Sequence, residues 1–142
     1  MANVFDVAAY ILHKHGKMTA MKLQKLVYYC QAWHLVWDEE PLFEEEIQAW
    51  ANGPVVPELF KAHQGEFVIS KEPIGDKTKL TKSEKETIKA VLESIGDRDA
   101  NWLSTLTHQE DPWKDARRGL QIHERGNKPI THGAMADYYG NL

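Results

Sequence analysis

Apolar residues recur along this chain mostly at helical spacing. Val4, Ala8, Ile11 and Leu12 form one stripe. Asn3 stands where an N-cap belongs, Asp6 favours the positive end of the helix, and Gly16 is a stop signal. Thr19 caps a second helix, read from Ala20 to about Trp37. Leu23, Leu26, Val27, Cys30, His34 and Trp37 share one of its faces, and Tyr28, Tyr29, Leu35 and Val36 carry apolar surface beyond an ordinary stripe. A helix apolar on most faces must be covered, by its own fold or by another protein. This segment is therefore read as the centre of the fold.

Asp38-Glu39-Glu40-Pro41 breaks the helix. Residues 47–51 alternate, Ile47 and Ala49 against Gln48 and Trp50, which predicts a short strand. Gly53-Pro54 is a turn signal, and Pro57 suits the first turn of a third helix through Leu59, Phe60 and His63 to near Gly65. Phe67-Val68-Ile69 predicts a second strand, and residues 73–79 a loop. Thr81-x-x-Glu84 is a capping box. The helix behind it turns Ile88, Val91, Leu92 and Ile95 inward, turns Lys82, Lys85, Lys89 and Glu93 outward, and ends at Gly96. Asp99 caps a fifth helix holding Trp102, Leu103 and Leu106. Asp111-Pro112 opens a short helix over 113–118, closed by Gly119, and Thr131 caps a last one ending before Gly140.

The fold class that follows is mainly α: one compact helical domain over residues 1–142 with a small two- or three-stranded β element, hence α+β. No repeat, low-complexity run or linker divides it.

With 42% hydrophobic and 27% charged residues, the 142-residue chain has the make-up of a globular domain. A net charge of -4 argues against general nucleic-acid binding, which calls for a basic face. The start, from Met1 to Asp6, has no basic region or long apolar run, so no signal peptide is expected. No apolar run reaches the length of a membrane span. The single cysteine, Cys30, excludes an intrachain disulfide and fits a reducing, cytoplasmic setting.

Catalytic and metal chemistry find little support. The seven histidines lack paired ligand spacing, and His13-x-His15 points two ways on a helix. His34 on an apolar face is read as a core histidine bonded to a neighbour. His108 beside Glu110 could serve as a general base, but Thr107 and His108 are better read as satisfying backbone groups at a helix junction. Cys30 and His34 are one turn apart, but a reactive thiol needs an exposed, electropositive setting. No glycine motif cradles a phosphate. No catalytic residue, metal ligand or cofactor is assigned.

Asp38, Glu39, Glu40, Glu44, Glu45 and Glu46 form an acidic run. It is either a solvated loop or an electrostatic landing patch for a basic partner. Five tryptophans, Trp33, Trp37, Trp50, Trp102 and Trp113, serve the core or an interface. The residues put forward for partner binding are Trp50, Asn52, Gly53, Pro54 and Val55 with Glu44, Glu45 and Glu46. Pro54 and Pro57 also restrict the backbone, so folding alone could account for them.

Lys22-Leu23-Gln24-Lys25-Leu26-Val27-Tyr28-Tyr29-Cys30-Gln31-Ala32-Trp33-His34-Leu35 resembles the opening signature of the Panacea domain, the SocA-like antitoxin family of phage-associated proteins. Pro41-Leu42-Phe43 looks like its next motif, and the stretch from Glu46 through Trp50-Ala51-Asn52-Gly53-Pro54-Val55 to Leu59 is similar to its central one. Leu106-Thr107-His108 with Pro112-Trp113, and the segment from Ile130 to Tyr139, resemble its later motifs. The likeness spans nearly the whole chain in order. It implies a mainly helical fold with a small sheet and a cytoplasmic bacterial or phage antitoxin that neutralises a protein toxin by direct contact. A proteolytic adaptor that delivers the toxin to a cellular AAA+ protease is the alternative it implies, and a hydrolase using His108 stands behind both. Two departures are noted. Asp38-Glu39-Glu40 stands where the family often has a glycine, so a different local turn is expected. The likeness begins almost at Met1, so the DNA-binding segment of some relatives is not expected. Self-association is left open.

Overall fold

The computed structural model describes residues 2–142; Met1, the first residue of the stretch read above for a leader, lies outside the described residues. Helix α1 (Val4–His15) opens on a full capping box, in which Asn3 accepts from the Asp6 N–H and Asp6 accepts from the Asn3 N–H. Strand β1 (Met18–Thr19) leads into α2 (Ala20–Trp37), whose Lys22 N–H is capped by the Thr19 hydroxyl. After the acidic turn come β2 (Gln48–Trp50), β3 (Gly53–Val55), α3 (Pro57–Ala62) and β4 (Val68–Ile69). A 3-10 turn (Lys77–Lys79) precedes α4 (Lys82–Ile95), α5 (Ala100–His108), α6 (Asp111–Ala116) and α7 (His132–Gly140).

Helix α2 is the hub, packed by α1, α4, α5, α7 and β3. Leu23, Leu26, Val27, Cys30 and Ala32 are fully buried, so the helix is covered from within the chain over residues 23–32, while Met21 and Trp37 near its ends are exposed. His34 is a core histidine, its Nδ1 2.8 Å from the Thr87 hydroxyl of α4. Cys30 is buried, which pushes its thiol pKa up and leaves it inert.

The fold is mainly helical with a minor β component, as the periodicity predicts. Several details differ. The β component is two separate antiparallel pairs, β1 with β4 and β2 with β3. Gly53-Pro54 lies in β3, and the turn is at Ala51-Asn52. Helix α3 ends at Ala62, short of Gly65, and α6 begins at Asp111 and ends at Ala116. Trp37 is not on the buried face: it is 50% exposed and stacks on Trp33 with ring centroids 5.3 Å apart. Trp102 is half-exposed too, under the Arg98 guanidinium.

Candidate functional site

The start of α2 and the β2–β3 hairpin flank an open groove of about 890 Å3. Met21, Trp50, Phe60 and Phe67 supply apolar walls, Lys25 and His63 lie deeper, and the exposed Glu66, Arg125 and Asn127 complete the lining. Mostly apolar clefts of this size with a few placed polar groups are the usual form of a binding site. Phe67 is 79% exposed and Phe60 44%.

Strand periodicity builds the hairpin wall. Ala49 points inward and is fully buried, while Gln48 and Trp50 are half-exposed. The Gln48 side chain donates to Glu46 Oε2 at 2.8 Å and accepts from the Trp50 indole N–H at 2.9 Å. Glu46, Gln48 and Trp50 thus form a relay that fixes the indole. Pro57 starts α3 and places Phe60 within its first turn, edge-on to Trp50 at 4.9 Å between centroids.

The hairpin is tied down on every side. The Ala49 N–H donates to the Lys128 carbonyl, and the Trp113 indole donates to the Trp50 carbonyl. Arg117 donates to the Ala49 carbonyl, and Ser104 to the Asn52 carbonyl. On the α2 side, Gln24 pairs with both backbone groups of Val56, and Lys25 Nζ donates to the Pro54 carbonyl at 3.2 Å.

Lys25 is only 1% exposed, and burial lowers its pKa from 10.5 to about 8. No carboxylate forms an ion pair with it among the described residues. His63 is also buried. Its Nε2 lies 2.6 Å from Glu72 Oε1, and its Nδ1 has no hydrogen-bond partner.

The residues proposed for partner binding separate into groups. Trp50, Asn52 and Val55 line the groove. Gly53 and Pro54 are buried behind it, against Lys25. Glu44, Glu45 and Glu46 are not in its lining. Glu44 and Glu46 are exposed, whereas Glu45 is half-buried and accepts from the Val4 N–H at 3.1 Å, at the start of α1. Sequence reasoning passed over Lys25, Gln24, Met21 and the His63–Glu72 pair as site residues. The available signal was a lysine and a glutamine on a helix with no solvated face, where a polar group has to be buried.

His108 and Glu110 do not form an acid–base pair. The Glu110 carboxylate accepts from the Tyr29 hydroxyl at 2.6 Å and from the Tyr139 hydroxyl at 2.7 Å. Burial raises its pKa and these two hydrogen bonds lower it, with burial prevailing. His108 stacks on Trp113 at 4.0 Å, and burial, then the Lys25 and Arg117 charges, lower its pKa. No group of three or more His, Cys, Asp or Glu converges among the described residues, and no described helix is long and apolar enough to cross a membrane.

The model of the family described as antitoxin SocA-like, Panacea domain, matches residues 23–114, from α2 into α6. That stretch includes Gln24, Lys25, the hairpin, Phe60, His63 and Phe67. No curated protein and no solved structure matches the chain.

Proposed function

The chain belongs to the SocA-like antitoxin, Panacea-domain family, and from that premise we propose that it neutralises a cognate protein toxin by direct contact in the cytoplasm, with no chemistry of its own. The family match carries the reading. The groove supports it: rigid aromatic side chains beside a hairpin held by hydrogen bonds make a preorganised surface, and such surfaces bind with little ordering cost. The engagement of Glu110 by two tyrosines, away from His108, favours binding over hydrolysis.

On this reading Trp50, Asn52 and Val55 touch the toxin, Gly53 and Pro54 shape the wall behind them, and Glu44 and Glu46 attract a basic surface. The test is co-expression with the product of the neighbouring gene. Growth should stop with that product alone and recover when this chain is supplied. A neighbour harmless alone, or still lethal beside this chain, overturns the assignment. Toxin lifetimes in protease-deficient and normal cells then separate blocking, which leaves them equal, from delivery to a AAA+ protease, which shortens them in normal cells.

A further inference from the structure

Lys25 is a buried cation without an anion. Its ammonium has three N–H donors and spends one on the Pro54 carbonyl. It is held below Gly53 and lines a groove whose walls are otherwise largely apolar. A buried charge is costly unless paired. The group that would complete this site is a carboxylate arriving on an apolar carrier. Neither carboxylate at the groove serves: Glu72 is bound to the lining residue His63, and Glu66 is an exposed lining residue with no ion pair to Lys25.

The hairpin also constrains the shape of the guest. Strand β2 is paired on its outer side with 128–130, through Ala49 N–H to the Lys128 carbonyl and the bridge from Gln48 to Pro129. The chain leaving β3 is capped by Gln24 and Lys25. The hairpin offers no free strand edge among the described residues, so a segment threaded along it would bury backbone groups without hairpin partners. A chain end avoids that cost: few peptide groups enter, and the terminal charge meets Lys25.

We propose that the groove captures the C-terminal end of the toxin chain, its last apolar side chains against Met21, Trp50 and Phe60 and its terminal carboxylate on the Lys25 ammonium. This rests on the antitoxin reading above, and it names the element of the toxin that is recognised.

The test uses the full chain and three synthetic probes: an acetylated apolar pentapeptide ending in Phe-Leu as the free acid, the same peptide as its C-terminal amide, and the amide with a central glutamate. Affinity is followed by NMR titration, reading the Lys25 side-chain signals and the Trp50 indole N–H. The free acid should bind about tenfold or more tighter than the amide, shifting both signals. K25M should bind acid and amide equally; if it does not fold, the acid–amide contrast on the unaltered chain decides. Equal binding of acid and amide by that chain, binding of none of the probes, or a glutamate amide as tight as the acid overturns capture of a chain end. Co-expression keeps the two readings apart. If the chain neutralises the toxin while the probes fail, chain-end capture falls and the antitoxin reading stands; if it does not neutralise, the antitoxin reading falls whatever the peptides do.

Discussion

The Gln24 side-chain amide satisfies both backbone groups of Val56: Oε1 accepts from the N–H at 2.8 Å and Nε2 donates to the carbonyl at 3.3 Å. Two helical turns later on α2, Gln31 repeats the device, accepting from the Leu42 N–H at 2.6 Å and donating to the Phe43 carbonyl at 2.7 Å. Both glutamines are buried. Helix α2 thus offers irregular chain the pairing that a neighbouring strand would otherwise supply.

Replacing Gln24 by leucine keeps the volume and removes the only partner of the Val56 N–H, while the Val56 carbonyl keeps the Phe60 N–H at 3.0 Å. One buried backbone donor left unpaired should cost roughly 1–3 kcal/mol. Urea denaturation of Q24L checks it, and a loss below about 0.5 kcal/mol, the range of an ordinary surface change, would show that the hairpin is held by other means.

Gly53 cannot carry a side chain. Its φ is +119°, and a Cβ there would meet Lys25 Cε at 2.6 Å. G53A combines backbone strain of about 1–3 kcal/mol with displacement of the Lys25 side-chain end from the Pro54 carbonyl. The same denaturation measurement should show a loss in that range or above, with altered Lys25 NMR signals.

Much of this was legible beforehand. Caps at Asn3, Thr19, Thr81, Asp99 and Thr131 marked helix starts because each signal is local, a side-chain oxygen meeting an N–H two or three residues on. The β1–β4 pair was half hidden: Val68-Ile69 reads as a strand, but its partner is two residues before a helix, and only tertiary contact makes them a pair. The groove was also half legible. Trp50, Asn52 and Val55 stand out in a motif, but Lys25 looks like a solvated lysine until the whole circumference of α2 proves to be buried. Glu45 looked interchangeable with Glu44 and Glu46, because nothing local reveals that the start of α1 lies against it.

Lys25 gives stability a distinctive pH dependence. Its folded pKa, about 8, lies below the unfolded 10.5. Under pH 8 both states hold the proton and the folded state bears the full cost of burying the charge. Between 8 and 10.5 the folded state releases it first, the unfolded state binds more protons, and stability rises with pH. The full gain is about 3 kcal/mol at 1.36 kcal/mol per pKa unit. Denaturation at pH 7.5 to 9.5, below the ordinary tyrosine range, should show this rise in the unaltered chain and not in K25M. Parallel profiles for the two would place Lys25 in contact with water.

Glu39 follows the last turn of α2 with φ +57°, the left-handed conformation that glycine adopts freely. The turn has the geometry a glycine would serve. E39G should therefore raise stability by about 1 kcal/mol. A loss on the same urea curve would mean that Glu39 makes a contact worth more than its strain.

The acidic run should divide in experiment as it does in space. Glu44 and Glu46 are exposed, and charges of this kind act on encounter more than on the bound state. E44Q combined with E46Q should slow association with a basic toxin at low salt and leave dissociation nearly unchanged, because the amide oxygen that replaces the Glu46 carboxylate can still accept from Gln48 and keep the Trp50 relay. The difference should vanish toward about 1 M salt, where the Debye length is roughly 3 Å. Glu45 holds the Val4 N–H at the positive end of α1, so E45A should cost about 0.5–1.5 kcal/mol of stability instead. Stopped-flow mixing against the toxin gives the rates and urea the stability. If the double variant associates at the wild-type rate in low salt, the run is a solvated loop and the steering role is lost.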